Sequence, residues 1–219
     1  MRRETFLMKY NEVIYALRWR YNMCKTKIYW KGLFGMIGAR STICNPLLLN
    51  RPDKIFLGNH VRIREMARLE AITEYNGTKF EPRLEIGDDT GFEQGLHMTC
   101  AEDITIGKQV TVLAYVMIQD CTHEYEDVEK NILDQKLITK PVKIGDGCFI
   151  GLGARILPGV TLGKHCIVGS NAVVLGGDYE AYSVLVGNPA KCVKRYDIEN
   201  RIWRKTNSEG KFIDGEEKV

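Results

Sequence analysis

Residues 144–174, IGDGCFIGLGARILPGVTLGKHCIVGSNAVV, carry an aliphatic side chain at every sixth position without interruption. A six-residue period fits neither the 3.6-residue turn of an α-helix nor the two-residue alternation of a long strand. It is typical of short strands joined by tight corners, with one inward side chain on each face. Three such faces make a coil of about 18 residues, and coils stack at the strand spacing of about 4.8 Å. The aliphatic positions of this stretch are Ile144, Ile150, Ile156, Leu162, Val168 and Val174.

The same step recurs upstream, over residues 86–118 and more weakly over residues 57–69, and two interruptions divide it. The first, residues 74–84, contains Asn76-Gly77, which favours a tight turn. The second, residues 119–141, is too long for a corner. Because a long loop inside a regular domain is usually functional or disordered, we expect this loop to carry chemistry.

The composition is that of a globular protein. The 219 residues are 44% hydrophobic and 27% charged, which excludes a disordered chain, a collagen-like rod and a multi-pass membrane protein. The net charge of +3 gives no argument for nucleic acid binding. Seven cysteines without a CxxC pair indicate neither a zinc ribbon nor a disulfide framework. Since no signal-peptide stretch is present either, the expected location is a reducing cytoplasm.

Positive charge is concentrated in the first 31 residues, which hold eight Lys or Arg and two Glu. Within them, Leu7, Tyr10, Ile14 and Leu17 fall on one face of a helix. A basic helix with interleaved aromatic residues can lie on an anionic membrane surface, so residues 1–31 are a candidate peripheral membrane contact.

The patterns predict three parts of the chain. We expect a basic helical extension over residues 1–50 and a β-helix over residues 51–190. A C-terminal helix and polar tail are expected over residues 191–219, with the helix at residues 196–205.

Residues 144–174, residues 186–196 (VGNPAKCVKRY) and residues 122–125 (THEY) resemble the hexapeptide-repeat acyltransferases. The chain is most similar to the branch with maltose, galactoside, colanic acid and lipopolysaccharide O-acetyltransferases. This resemblance implies an all-β, left-handed parallel β-helix, acetyl-CoA as donor and a sugar or glycan acceptor. It also implies a homotrimer whose subunits share each site, and direct transfer without an acyl-enzyme.

A general base is required for a hydroxyl to attack a thioester at neutral pH, and histidine titrates in the appropriate range. Of the four histidines, His60 and His165 fall at the fourth place of a hexapeptide, which predicts a corner that faces solvent. His123 lies in the long loop and matches the catalytic base of the family; the alternative is a solvated loop histidine. Asp120 and Glu124 are the candidates to hold its second ring nitrogen.

By the same resemblance, residues 92–103 line the acceptor pocket. Asp103 is the candidate carboxylate for a sugar hydroxyl, because carboxylates accept strong hydrogen bonds; the alternative is a turn residue at a strand end. His97 could bind the acceptor or cap a corner. Gly95 stands where galactoside-type enzymes place an acceptor-binding Asn, so a simple galactoside is not the expected acceptor.

For the donor, the resemblance implies small residues and free amides along the pantetheine arm, and basic residues at the nucleotide phosphates. The alternative for the basic residues is a solvated basic helix start. Gly176-Gly177 replaces a Thr-Lys pair with which many relatives contact the cofactor, so a different acyl group stays open. The implied donor positions are Gly151, Leu152, Ser170, Lys191 and Lys194.

Three other functions are compatible with such a repeat. An N-acetyltransferase of an amino sugar or small amine would need the same base. A metal-dependent carbonic anhydrase would need about three His ligands, and only His97 and His123 are suitably placed, so no metal is expected. A non-catalytic scaffold would leave the loop histidine without a role.

Overall fold

The computed structural model describes residues 2–207 and 210–213, and only the backbone of residues 2–7. The chain begins with helix α1 (Arg2–Ile28) and a 3₁₀ turn, Trp30–Gly32. Seven coils of short parallel strands follow. Within the described residues no helix is long and apolar enough to cross a bilayer.

The first four coils contain one inserted hairpin, β7–β8, between the second and third coils. Their strands are β1 (Met36–Ile37), β2 (Thr42–Ile43), β3 (Leu48–Asn50), β4 (Ile55–Leu57), β5 (Arg62–Ile63), β6 (Arg68–Ala71), β7 (Glu74–Tyr75), β8 (Thr78–Lys79), β9 (Arg83–Ile86), β10 (Gly91–Phe92), β11 (His97–Cys100), β12 (Asp103–Ile106), β13 (Thr111–Val112) and β14 (Met117–Gln119).

The remaining coils follow a long loop that contains β15, the 3₁₀ turn Ile132–Asp134 and β16. Their strands are β15 (Cys121–His123), β16 (Leu137–Thr139), β17 (Val142–Ile144), β18 (Phe149–Ile150), β19 (Arg155–Ile156), β20 (Val160–Leu162), β21 (Ile167–Val168), β22 (Val173–Val174), β23 (Gly177–Tyr179), β24 (Ser183–Gly187), β25 (Ala190–Asp197) and β26 (Ile202–Lys205).

The strands form three flat faces. Face A is β1-β4-β9-β12-β17-β20-β23, face B is β2-β5-β10-β13-β18-β21-β24-β25-β26, and face C is β3-β6-β11-β14-β19-β22. The B–C corner consists of residues 44–47, 64–67, 93–96, 113–116, 151–154 and 169–172. The C–A corner consists of residues 51–54, 72–82, 101–102, 120–141, 157–159 and 175–176.

The core is the column of inward aliphatic side chains that the six-residue period predicted. Every position of that period is buried, and Phe92, Val112, Ile150 and Val168 stack in register on face B. Burial of each such side chain contributes about 1.5–3 kcal/mol. The left-handed parallel β-helix expected from the sequence is therefore confirmed.

The corners use left-handed backbone conformations. His60 and His165 have φ values of 55° and 57° and are exposed, as their place in the repeat predicted. Nδ1 of His60 lies 3.1 Å from Oδ1 of Asp89 on the protein surface. Both histidines thus serve as corner residues.

The β-helix begins earlier than the expected boundary at residue 51. Helix α1 forms as predicted, but the first coil already starts at β1, and Ile37 and Ile43 are buried in the column. Leu49, which is partly buried, completes the coil. These three residues are six apart, so the period extends further towards the N-terminus than residues 57–69 suggested.

The C-terminal helix expected at residues 196–205 is wrong. Strand β25 instead folds back antiparallel on β24, and β26 pairs with β25, so Tyr196 faces Trp203 across the hairpin. Their ring centroids are 5.5 Å apart. Asp197 holds the intervening turn through hydrogen bonds from Asn200 and Arg204, which lower its pKa to about 2. The expected tail lies partly outside the described residues.

Candidate active site

Both insertions in the repeat leave the β-helix at the C–A corner. The β7–β8 hairpin follows β6, and residues 120–141 follow β14 two coils later. The long loop is itself an antiparallel pair, in which His123 on β15 lies opposite Leu137 on β16. The backbone amide of Glu124 donates to the carbonyl of Lys136 at 2.9 Å and closes the pair. His123 is thus carried on paired strand backbone rather than on an irregular loop.

The imidazole of His123 is half-buried against Tyr75 of the hairpin. The two rings meet edge to face, with centroids 5.2 Å apart and an interplanar angle of 65°. Nδ1 of His123 is buried and has no hydrogen-bond partner among the described residues, whereas Nε2 is not among such buried atoms. The ring therefore presents Nε2 as its accessible nitrogen.

Asp120 does not hold the His123 ring, contrary to the expectation. Its carboxylate is buried and accepts hydrogen bonds from the backbone amides of Ala101 (2.7 Å) and Glu102 (2.8 Å). Burial raises the pKa of Asp120, and these two amides counteract the shift. The physical reason is the tight C–A corner beneath it, where two backbone donors need an acceptor. Asp120 is a structural cap of this corner.

Glu124 also makes no hydrogen bond to His123 within the described part of the chain. Its side chain is half-buried at the start of the loop tip. The expectation that one of the two acids orients the imidazole is thus not met by this chain alone.

The two acceptor candidates lie near different corners, with Asp103 on face A beside the C–A corner and His97 on face C beside the B–C corner. Asp103 begins β12 directly after the C–A corner, so it shares the corner of His123; its Oδ1 accepts from the Thr105 hydroxyl at 2.9 Å. His97 begins β11 at the opposite edge, with Nε2 3.3 Å from the Thr99 hydroxyl. Burial, followed by the charge of Arg68, lowers the pKa of His97, which favours a neutral ring. Asp103, and not His97, thus lies at the same corner as His123.

Three of the donor candidates fall on the B–C corner. Leu152 and Ser170 occupy the same place in successive coils and are exposed. Their backbone amides donate to no carbonyl oxygen in the residues that the structure describes. Unpaired amides at an exposed corner suit the carbonyl oxygens of an extended ligand.

Gly151 has a packing role at the same corner. Its amide donates to the carbonyl of Val168 at 2.8 Å, and a Cβ on it would lie 2.6 Å from the backbone nitrogen of Ser170. The residue is therefore required by the close stacking of two coils. It does not offer a free amide to a ligand.

The basic candidates lie on β25, which extends face B. Lys191 pairs with Val186, the residue that packs over Gly169 beside Ser170. Lys194 lies three residues further along the strand, opposite Val184, and both lysines are exposed. Lys191 thus continues the row formed by Leu152 and Ser170.

Sequence reasoning missed the residues that hold the loop in place. Besides its ring contact, Tyr75 donates its hydroxyl to the carbonyl of Leu133 at 2.7 Å. Asn76 donates to the same carbonyl at 2.7 Å, and Gln135, buried in the loop, binds both backbone groups of Asp127. The Asn76-Gly77 signal predicted the turn, but nothing in it indicated that the turn contacts a loop more than 40 positions away.

The described residues contain no group of three or more His, Cys, Asp or Glu arranged to hold a metal ion.

Residues 141–176 match the family described as bacterial transferase hexapeptide (six repeats). The match covers the stretch that decides the fold and ends at the last face C strand. The chain therefore carries the hexapeptide repeat of this family.

Curated relatives of this hexapeptide-repeat chain are named as acetyltransferases. The chain is 35% identical over 179 residues to the probable acetyltransferase Rv3034c of Mycobacterium tuberculosis, a match that spans 78% of this chain and 57% of that protein. It is 31% identical over 125 residues to a protein of Escherichia coli named as a lipopolysaccharide biosynthesis O-acetyl transferase, WbbJ, covering 54% of this chain and 63% of the relative. The chain thus spans less than two thirds of the length of either relative.

The fold is shared with a solved N-acyltransferase. AntD from Bacillus cereus, crystallised with dTDP and 3-hydroxybutyryl-CoA, superimposes with a TM-score of 0.64 at 17% identity. The superposition covers 80% of this chain and 90% of AntD. At this identity the likeness concerns the fold alone.

Replacement of Asp120 tests its role as a corner cap. We expect Asp120→Ala to lower the free energy of unfolding by about 2–4 kcal/mol, because two buried amides lose their acceptor. Urea unfolding at one fixed protein concentration measures the change. Glu124→Ala is the matched control, with an expected change within about 0.5 kcal/mol. Native stability of Asp120→Ala with a selective loss of turnover would instead favour the orienting role.

Proposed function

We propose that this chain is an acetyl-CoA-dependent O-acetyltransferase that modifies a sugar hydroxyl, with His123 as general base. The observation that supports it is the presentation of Nε2 of His123 at the C–A corner by a paired and anchored loop. A solvated loop histidine would not require a ring contact, two strands and a second hairpin to hold it.

The reaction is a direct transfer. Nε2 accepts the proton of the acceptor hydroxyl while the hydroxyl oxygen bonds to the thioester carbonyl carbon. The resulting oxyanion is stabilised by a backbone amide. The carbon–sulfur bond then breaks, and the imidazolium returns the proton to the leaving thiolate. The products are the acetyl ester and free CoA.

The donor is assigned to the B–C corner. The free amides of Leu152 and Ser170 suit the amide carbonyls of the pantetheine arm, and Lys191 and Lys194 suit the phosphates, which need charge but no bidentate geometry. Gly151 supports this row by letting the coils stack closely.

The acceptor is assigned to the C–A corner. Asp103 shares this corner with His123 and has a carboxylate that can bind a sugar hydroxyl. His97 is a less direct contact, since it lies at the far edge of face C. The name of the Escherichia coli relative favours surface polysaccharide biosynthesis as the setting.

N-acetylation of an amino sugar is the second candidate. AntD, which shares the fold, is an N-acyltransferase. A hydroxyl acceptor and the amino version of the same sugar, offered side by side, distinguish the two functions.

A homotrimer is proposed as the active form. The donor row lies on the B–C corner and His123 on the C–A corner, so face C separates them within one chain. Closed threefold symmetry can bring the C–A corner of one subunit to the B–C corner of the next. Each site would then take its base and its donor contacts from different subunits.

A peripheral membrane contact is proposed for the outer side of α1. Its inner side is fixed to face B and to the adjoining B–C corner. Thr26 is buried and accepts a hydrogen bond from the amide of Ile43 on face B, and Arg64 at the corner donates to the Tyr15 hydroxyl. On the opposite side Leu17 is 59% exposed and Ile28 is 80% exposed.

The charge beside this outer stripe favours anionic lipid as its partner. The stripe consists of Tyr10, Leu17, Tyr21 and Ile28, while Leu7 lies outside the described side chains. Basic residues such as Lys9, Arg20 and Lys27 flank it, and residues 13–31 contain no acidic residue. Two copies of so basic a helix would repel each other, whereas the anionic cytoplasmic leaflet attracts Lys and Arg by about 1 kcal/mol each. The proposed location of the enzyme is therefore the cytoplasm, at the inner surface of the membrane.

Turnover of His123→Ala is the first test of the base. With a panel of sugar acceptors, we expect acceptor-dependent CoA release to fall by about 10² or more, because the hydroxyl loses its proton acceptor. His165→Ala, which alters a corner histidine, is the control and should keep wild-type turnover. Equal rates for both variants would remove His123 from the mechanism.

Mixed trimers test whether sites are shared between subunits. Co-expression of His123→Ala with an inactive donor-row variant, Ser170→Trp, should restore activity to about a quarter of the wild-type value. Random assembly of a closed trimer gives one intact site in about four when each site draws on two subunits. If each site lay within one chain, the mixture would stay inactive.

Vesicle sedimentation tests the membrane contact. Wild-type protein should sediment with vesicles containing phosphatidylglycerol and much less with phosphatidylcholine alone. The double variant Leu17→Glu/Tyr21→Glu should bind at least about tenfold more weakly, since it places charge in the apolar stripe. Val128→Glu, on the exposed loop tip, is the control. Equal binding of all proteins would contradict the proposal.

A further inference from the structure

We propose that Tyr75 is a positioning residue for His123, and that the β7–β8 hairpin is a built-in support for the catalytic loop. This inference rests on the proposed role of His123 as general base. Tyr75 lies outside the loop that carries His123, two coils away along the C–A corner. The proposal therefore adds a residue of the hairpin to the candidate active site.

Strand pairing alone does not fix the imidazole. The pairing of His123 with Leu137 sets the backbone of β15, but the ring can still rotate about χ2, which is broad for histidine. Nδ1 has no hydrogen-bond partner among the described residues that would select one orientation. The edge-to-face contact with Tyr75 at 5.2 Å is the interaction that restricts the ring.

Tyr75 is itself held at both ends. Its backbone pairs with Thr78, and its hydroxyl donates to the carbonyl of Leu133 at 2.7 Å. Asn76 donates to this same carbonyl at 2.7 Å and to the carbonyl of Gln135 at 3.1 Å. The far side of the catalytic loop is therefore tied to the residue that contacts His123.

The hairpin is preformed for this task. Asn76 and Gly77 have φ values of 47° and 74°, as in the two-residue turns that match the twist of paired strands. The amide of Phe80 donates to the carbonyl of Thr73 at 2.9 Å and closes the base of the hairpin. A short closed hairpin is a firmer support than a long loop, so the orientation of His123 depends on it.

Steady-state kinetics and NMR of the full-length protein test the proposal. Tyr75→Leu should lower kcat by about 10- to 100-fold, because a misplaced base reacts more slowly. The KM values for acetyl-CoA and acceptor should stay within about twofold, since Tyr75 aligns the base and does not bind either substrate. Tyr75→Phe keeps the ring and should retain kcat within about threefold. In histidine-labelled protein, the His123 ring-proton resonance is identified as the one that disappears in His123→Ala. This resonance should shift in Tyr75→Leu and keep its wild-type position in Tyr75→Phe.

Tyr125→Leu is the matched control, because Tyr125 lies in the same loop but is 68% exposed. It should change neither kcat nor the His123 resonance. Wild-type kcat and an unmoved resonance in Tyr75→Leu would overturn the proposal. So would a rise in acceptor KM alone, which would make Tyr75 a substrate contact. An equal loss of kcat in Tyr75→Phe would also overturn it, because the hydroxyl bond to Leu133, and not the ring contact, would then carry the effect. If His123→Ala keeps full turnover, the proposed function fails, whereas the resonance still reports whether Tyr75 fixes the ring.

Discussion

The column of inward aliphatic side chains is the constraint on which the rest of this structure depends. Each coil must return in register above the one before, as Phe92, Val112, Ile150 and Val168 do on face B. Extra residues can therefore enter only at a corner, where the column is not interrupted. Both insertions use the C–A corner, and because they are two coils apart they reach each other. The contact between Tyr75 and His123 is a consequence of this geometry.

The corners also decide which polar groups are free for chemistry. Backbone donors at a tight corner must be paired or exposed. At the C–A corner Asp120 pairs the amides of Ala101 and Glu102, so its carboxylate is used for structure. At the B–C corner the amides of Leu152 and Ser170 are left without a carbonyl partner in the described chain. The same repeat thus produces a corner with paired amides beneath His123 and a second corner with unpaired amides at Leu152 and Ser170.

Features that repeat were predictable from the sequence, and features that depend on one distant contact were not. The period predicted the buried column and the solvent-facing His60, and the Asn76-Gly77 pair predicted the turn that interrupts the period. The first coil is less distinct in the sequence, because Ile37 and Ile43 are buried but the third aliphatic residue of that coil, Leu49, is only partly buried. The C-terminal hairpin was mistaken for a helix because its strands are stabilised by antiparallel pairing to β24, which no local pattern reveals. The role of Asp120 depended in the same way on amides 18 and 19 residues away.

The separation of the two corners is the reason why the proposed activity depends on assembly. His123 and Ser170 lie at opposite edges of face C, so one chain holds both halves of the proposed site without joining them. The proposed trimer would join them at three equivalent sites, so the proposed activity would depend on protein concentration. Helix α1 covers face B, so a surface bound to its outer stripe would not occupy the C–A corner. The proposed membrane contact and the proposed acceptor site are therefore compatible in one assembly.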